Sequence, residues 1–358
     1  MTADIPEILW INTLNDDATH AVGSKMARLG QLRSWGLTVP EGFGLTKAAY
    51  ERFMAESNLD RIIDEKLADV RHAEETDAIG KVSREIRALV EAAEVSKPLY
   101  DMITDAYSEL CYSRLHVNQP VAVRSSAIGE DAKHASFAGQ FDTYLGLSGR
   151  DMVVNGIQRC WSSLFTRRGI TYRLKNRLSH RESPMAVCVL ELINARASGV
   201  AFSIHPVSGK QDRVVIEGNW GWGEAVVQGL VTPDHIEVGK ADGRILSYDV
   251  RDKLIVSTFD YAKGQVVEQE MPARWRKEPV LDEEQVRSIH EAVCLIESRY
   301  GVPVDVEWVV PRSHRLGDPV IIVQTRPETV HSQKDSKKSA PVWDPVAMAN
   351  KYAFGSKK

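Results

Sequence analysis

The sequence predicts an α+β protein of about two domains, and three observations carry that expectation. The chain has 358 residues, roughly two domains at about 150 each. Hydrophobic residues make up 43% and charged residues 26%, enough to bury a core without staples. The hydrophobic period also switches several times between the strand value of two and the helical three-and-four.

The elements follow in order. Glu7 to Asn12 (EILWIN) reads as a strand. It leads into Gly23-Ser24-Lys25 and a helix with Met26, Leu29, Leu32 and Trp35 on one side. Leu37 to Phe43 reads as a strand and turn, and Ala48 to Arg114 as helical. Within that stretch Leu99, Met102, Ile103, Ala106, Tyr107 and Leu110 form a stripe, and Pro98 suits a first turn. Val121-Ala122-Val123 is a short strand before a small-residue loop from Ser125 to Gly139. Val153, Ile157, Cys160, Trp161, Leu164 and Phe165 make the next helical stripe. Strands are expected at Met185 to Ile193, Gly199 to Ile204 and Arg213 to Glu217. A late helix opens at Asp282, with Gln285 three residues on as in a capping box, and stops near Gly301. Val304 to Val310 and Val320 to Gln324 are the last strands. No internal repeat is present, and His331 to Lys358 reads as a linker or docking tail.

Several function classes are excluded or disfavoured. A formal net charge of -4 gives no electrostatic reason for nucleic-acid or membrane binding. No apolar run reaches about 18 residues, and MTADIPEILW lacks the pattern of a signal peptide. Cys111, Cys160, Cys188 and Cys294 are scattered without a CxxC, as expected of reduced core thiols in a cytoplasmic protein.

Three segments carry chemistry. In Val121 to Asp131, continuing to Phe141, a strand delivers Arg124 at its end and a Ser/Ala/Gly loop follows. A guanidinium beside exposed backbone N–H groups suits a polyphosphate, but an ordinary surface loop with an Arg at a strand end fits equally. Asp305 and Glu307 share one strand face, and Gln324 and Arg326 share one on the next strand. Two carboxylates and an amide oxygen suit Mg²⁺, and the Arg a phosphate. A solvated antiparallel face with a cross-strand ion pair remains the alternative. Gly23-Ser24-Lys25 could set an ammonium at a helix N-terminus. Neither a GxxxxGK[ST] loop nor a strand followed by GxGxxG is present. Gly218-Asn-Trp-Gly-Trp-Gly-Glu224 is either a ligand-facing loop or an aromatic-packed turn.

Taken in order, five blocks resemble the N-terminal ATP-binding region of phosphoenolpyruvate synthase and pyruvate phosphate dikinase. They are Val22 to Gly30, Val121 to Gly139, Ser198 to Ser203, Trp220 to Asp234, and Asp305 to Pro327. The resemblance implies an ATP-grasp-type fold with two lobes enclosing a nucleotide cleft. It divides the chain into 1–190 (with a helical insertion and a phosphate-covering loop), 191–330 (with metal ligands) and the tail 331–358. It implies ATP and Mg²⁺ as cofactors. Lys25, Arg124 and Arg326 would contact phosphates, and Ser136 and Gly139 would lie in the covering loop. Glu191, Leu192 and Ile193 would bind adenine through backbone atoms, and Glu307, Gln324 and Asp305 would hold the metal. Two departures stand out: Ser24 replaces the usual second Gly, and His205 an Asp or Asn.

No Gly-Gly-x-x-Ser-His-x-Ala-like segment occurs among the ten histidines, and Leu178-Ser179-His180-Arg181 lacks its glycines. The carrier histidine of the family is therefore expected on a partner subunit. The implied function is the ATP-binding subunit of a split, phenylphosphate-synthase-like phosphotransferase. It would cleave ATP to AMP and phosphate and pass a phosphoryl group by way of that histidine to a phenol, pyruvate or another hydroxyl compound. An excised domain of a longer synthase, a stand-alone ATP-grasp ligase forming an acyl phosphate and a non-catalytic ATP sensor are the alternatives.

Overall fold

The computed structural model describes residues 5–14, 18–70, 72–128, 131–132, 135–136, 141–222, 231–260, 263 and 265–328. Helices and antiparallel sheets are both present, as an α+β fold requires. The described residues form two compact units: those up to 31 with 41–192, and 32–40 with those from 193 onward. No helix among them is long and apolar enough to cross a membrane.

The first unit contains strands β1 (Ile8–Trp10), β2 (Gly42–Leu45), β3 (Val121–Ala127), β4 (Asp131–Ala132), β5 (Ala135–Ser136), β6 (Thr143–Leu147) and β7 (Met185–Glu191). An antiparallel sheet runs in the order β1-β2-β7-β3-β6, and β4 and β5 pair separately. Its described helices are α1 (Thr19–Ser34, whose residues 32–34 count with the second unit), α2 (Lys47–Glu56), α3 (Leu59–Leu67), α4 (Thr76–Ala92), α5 (Lys97–Ser113), α6 (Arg150–Ser162) and α7 (Arg167–Asn176).

The long helical stretch expected from 48 to 114 is thus four helices. One break is Asn58, whose φ of 49° is left-handed and cannot continue a helix. Helix α5 has Pro98 in its first turn and buries Leu99, Ile103, Ala106, Tyr107 and Leu110, the expected stripe except Met102, which is only half-buried. The α6 stripe is buried throughout, its last two residues, Leu164 and Phe165, in a 3-10 turn. Trp161 stacks on Phe53, ring centroids 4.7 Å apart, and lies fully inside the core. The four cysteines are thiols rather than disulfides, and Cys111, Cys160 and Cys188 are buried.

The second unit contains β8 (Ala195–Phe202), β9 (Arg213–Trp220), β10 (Asp234–Gly239), β11 (Ile245–Asp249), β12 (Ile255–Asp260), β13 (Gln265–Glu270), β14 (Val304–Pro311) and β15 (Ile321–Pro327). Its main sheet is antiparallel, ordered β11-β10-β9-β8-β14-β15, with β12 and β13 as a separate hairpin. Helices α8 (Ala273–Arg276) and α9 (Glu283–Tyr300) complete it. The box at the start of α9 forms as expected. Asp282 Oδ1 accepts from Gln285 N at 2.8 Å, and Gln285 Oε1 accepts from Asp282 N at 3.1 Å. Gly301, at φ 68°, closes the helix.

Helix α9 buries Val286, Ile289, Val293 and Ile296 against one face of the sheet, where Ala201, Ile216, Val306 and Trp308 lie. Trp308 needs room between strands: a Cβ on Gly199 would fall 2.8 Å from its ring and 1.8 Å from Glu217 O. Residues 32–40, which the sequence reading keeps within 1–190, pack with this unit. Ile322 N donates to Thr38 O at 2.9 Å, and Trp35 meets Tyr300 edge-on at 5.2 Å. The reason is that β15 finds in this segment a backbone acceptor that no local pattern announces.

Candidate functional site

In the first unit two of the expected site residues, Lys25 and Arg124, lie where α1 meets β3. Gly23, at φ 73° and ψ 169°, breaks α1, so helix restarts at residue 24 and Lys25 stands in its first turn. Only glycine fits there, because a Cβ would fall 2.3 Å from Ser126 O as well as occupying a left-handed φ. Lys25 Nζ donates to Ser125 O at 3.0 Å, which ties the ammonium to the strand that carries Arg124.

Arg124 is not at a strand end. Strand β3 continues through Ser125 and Ser126 to Ala127, so Arg124 is its fourth residue, opposite Thr143 and Cys188. The Ser-Ser-Ala run that reads as loop is strand because small residues let Gly23 approach the backbone. Ser125 Oγ also donates to Asp142 O at 3.0 Å. Arg124 and Ser126 share one strand face by the period of two. The hydroxyls of Ser24 and Ser126 are buried and without a hydrogen-bond partner among the described residues. Ser136 lies on β5, opposite Asp131, and Gly139 falls outside the described residues.

The expected adenine segment ends β7. Glu191 N donates to Glu41 O at 2.8 Å, and Leu192 N donates to Pro120 O at 2.9 Å. Glu191 Oε1 accepts from Glu41 N at 3.0 Å and pairs with Arg114, so this side chain is a structural tie. The chain leaves the first unit after Leu192. Ile193 O accepts from Trp222 Nε1 at 2.7 Å. Within 218–222 the Gly/Trp segment is not a turn but the end of β9 and the two residues after it: Trp220 Nε1 donates to Trp275 O at 3.0 Å, and Trp222 packs on Phe259. Residues 223–230 lie outside the described residues.

In the second unit the expected cluster assembles on β14 and β15. Asp305 faces Arg326 in the register and Glu307 faces Gln324, with Gln324 Nε2 donating to Glu307 Oε1 at 3.0 Å. Asp305 Oδ1 is buried without a hydrogen bond among the described residues. Burial first, then the neighbouring Glu328, pushes the Asp305 carboxyl up to about 7, against the pull of Arg326. An orphaned carboxylate oxygen beside a second carboxylate and an amide is an all-oxygen donor set, and it fits a hard divalent cation. Arg326 stands opposite Asp305 and pulls its pKa down, against the larger effect of burial.

The same sheet face carries a second polar group that the sequence reading left unread. The register places His235 opposite Glu217, Glu217 opposite Val200, and Val200 opposite Glu307, one row across four strands. His235 Nδ1 lies 3.5 Å from Glu217 Oε1, and this partner raises the histidine pKa above its ordinary value. Glu237 Oε2 pairs with Arg213 at 2.5 Å. Potential ligand atoms of His205, His235 and Glu237 lie within 4.8 Å of one another. Yet His205 Nδ1 accepts from the backbone N–H groups of Val207 and Ser208, at 3.1 and 3.2 Å. A neutral ring with Nδ1 as acceptor carries its proton on Nε2 and has no lone pair there for a metal. His205 therefore caps its turn. Alternating His and Glu at 235 and 237 was the available signal for the rest of this group. His180 is buried beside Asp60 and Asp64, at 3.5 and 3.6 Å, and burial lowers its pKa.

Residues 19–343 match the family described as pyruvate phosphate dikinase, AMP/ATP-binding domain. The chain is 37% identical over 322 residues to a probable phosphoenolpyruvate synthase of Methanothermobacter thermautotrophicus, covering 90% of this chain and 46% of that protein. Similarity to the phosphoenolpyruvate synthase of Aeropyrum pernix is 34% identity over 357 residues, 93% of this chain and 43% of that protein. For the phosphoenolpyruvate synthase of Pyrococcus furiosus it is 30% over 369 residues, 93% and 45%. The chain thus spans under half the length of these curated relatives.

Proposed function

Because the chain belongs to the pyruvate phosphate dikinase AMP/ATP-binding domain family, we propose that it binds ATP and starts an ATP-dependent phosphoryl transfer. In this reading it is the nucleotide-binding subunit of a split phosphotransferase. ATP and one water give AMP, inorganic phosphate and a phosphoryl group on a histidine of a partner subunit. That group then passes to a hydroxyl acceptor such as a phenol or pyruvate.

Lys25, Arg124 and Arg326 bind phosphate oxygens, and Ser136 and Gly139 belong to the loop that covers them. The backbone of Glu191, Leu192 and Ile193 faces the adenine. Asp305, Glu307 and Gln324 would hold Mg²⁺, which when bound neutralises charge on the phosphate chain. The protein's own part is positioning: its cations orient the phosphates and keep the transferring group from water. The observation that carries this reading is the β14–β15 register, which sets Asp305 and Glu307 opposite Arg326 and Gln324 and leaves Asp305 Oδ1 unpaired among the described residues.

The test is incubation with ATP labelled separately at β and γ, with and without a phosphohistidine-domain protein that co-purifies. Alone, the chain should bind Mg-ATP and keep no stable phosphate. With the partner, AMP should form, and acid-labile, base-stable label should appear on the partner. Stoichiometric base-stable label on this chain alone would overturn the split arrangement, with His180 or His205 then the first residues to examine. ADP formation driven by an added carboxylic acid, with no partner, would favour a ligase.

A further inference from the structure

Two serine hydroxyls stand beside the cations assigned to the phosphates, and neither has work to do in the fold. Ser126 is fully buried and Ser24 is 8% exposed, and both Oγ atoms are without a hydrogen-bond partner among the described residues. Native proteins rarely leave buried hydroxyls unpaired, since each gives up hydration for nothing in return.

Their place is specific. Ser24 is the first residue of the helix that restarts after Gly23. Ser126 Oγ lies 2.4 Å from where a Cβ on Gly23 would sit, so this hydroxyl is packed against the same restart. Eleven residues of helix, 24–34, follow Gly23. Lys25 belongs to that turn, and Arg124 projects from the same face of β3 as Ser126. Around the restart, then, are an ammonium, a guanidinium and two hydroxyls unpaired among the described residues.

We propose that Ser24 and Ser126 are positioning residues that donate hydrogen bonds to the phosphate chain of the bound nucleotide. The inference rests on the ATP-binding reading given above. A hydroxyl rotates freely to place its proton on an anionic oxygen, and a hydrogen bond to charge is about twice as strong as a neutral one. The two hydroxyls add directed hydrogen bonds to those the cations make. Ser24 stands where the family resemblance has glycine, so its donor is a feature of this chain.

Calorimetric titration of the full chain with Mg-ATP, Mg-pyrophosphate and AMP tests it, with Ser24→Ala and Ser126→Ala beside wild type. Each substitution should weaken Mg-ATP and pyrophosphate binding roughly tenfold and leave AMP within about twofold. The melting temperature of the free variants should be unchanged or higher, since an unpaired buried hydroxyl has gone. Unchanged Mg-ATP affinity in both variants would overturn this inference and leave the ATP-binding reading standing. A parallel loss of ATP and AMP binding with a lowered melting temperature would make the serines structural and also overturn it. A wild-type chain that binds no Mg-ATP would overturn both.

Discussion

Gln324 and Glu307 face each other across the β14–β15 pair, and the Gln324 amide nitrogen donates to Glu307 Oε1 at 3.0 Å. The bond commits the nitrogen of Gln324 to Glu307 and makes its oxygen the atom able to face a cation. Glu307 is itself only half-buried, whereas Gln324 is buried, so the pair anchors an accessible carboxylate on a fixed amide.

Glu307→Ala should therefore keep nucleotide binding and lose transfer. If Glu307 holds the metal as proposed, removing it together with the partner that orients Gln324 should cut transfer about 100-fold. Steady-state AMP formation with the partner, beside equilibrium binding of ATP, checks this. Transfer near the wild-type rate would make Glu307 a structural residue.

Arg124→Ala should weaken ATP binding by about 10-fold to 100-fold and AMP binding far less, because the guanidinium is assigned to the phosphate chain. Competition between the two nucleotides measures the split. Equal losses would point to a purely structural Arg124, held in mid-strand by its neighbours on β6 and β7.

The Glu217–His235 contact should make stability depend on pH. Glu217 raises the folded-state pKa of His235 above its ordinary 6.5. Stability from this contact is then fully present below about pH 6.5 and is lost as pH rises through the higher folded value. Its size should be under about 1 kcal/mol for so partly exposed a pair. Urea midpoints between pH 5.5 and 8.5 should show the fall in wild type and a shallower one in Glu217→Gln. Identical slopes would dismiss the contact.

Lys253→Met should destabilise the second unit by about 3–5 kcal/mol. Lys253 and Asp234 are both fully buried, 2.5 Å apart, and Asp234 also accepts from the N–H groups of Arg251 and Val280. Deleting the ammonium leaves a carboxylate in the interior with only neutral donors. Adding Asp234→Asn should restore part of the loss, which chemical denaturation would detect.

Local chemistry was enough to read many elements in advance. The Asp282–Gln285 box, the Gly301 stop, the α5 stripe and the shared faces of Asp305 with Glu307 and Gln324 with Arg326 all depend on neighbours a few residues away. Of the strands from β10 to β13, β10 carries the signal, since half-buried His235 and Glu237 alternate with buried Ile236 and Val238, whereas β13 is QVVEQE and largely exposed, with little apolar face to mark it. Arg124 reads as nearer a strand end than it is for a related reason. Ser125 and Ser126 have loop propensity, and only the approach of Gly23, about a hundred residues earlier, requires them small and extended.

By itself, then, the sequence determined which residue types share a face, because side-chain alternation and helix capping are set by bonds along the chain. Only the tertiary structure decided which of those residues meet. The register that pairs Glu307 with Gln324 passes a shift between Glu307 and Trp308, and Trp308 lies in a space that Gly199 leaves open on another strand. Strand register is a property of two segments packed together, and neither segment contains it alone.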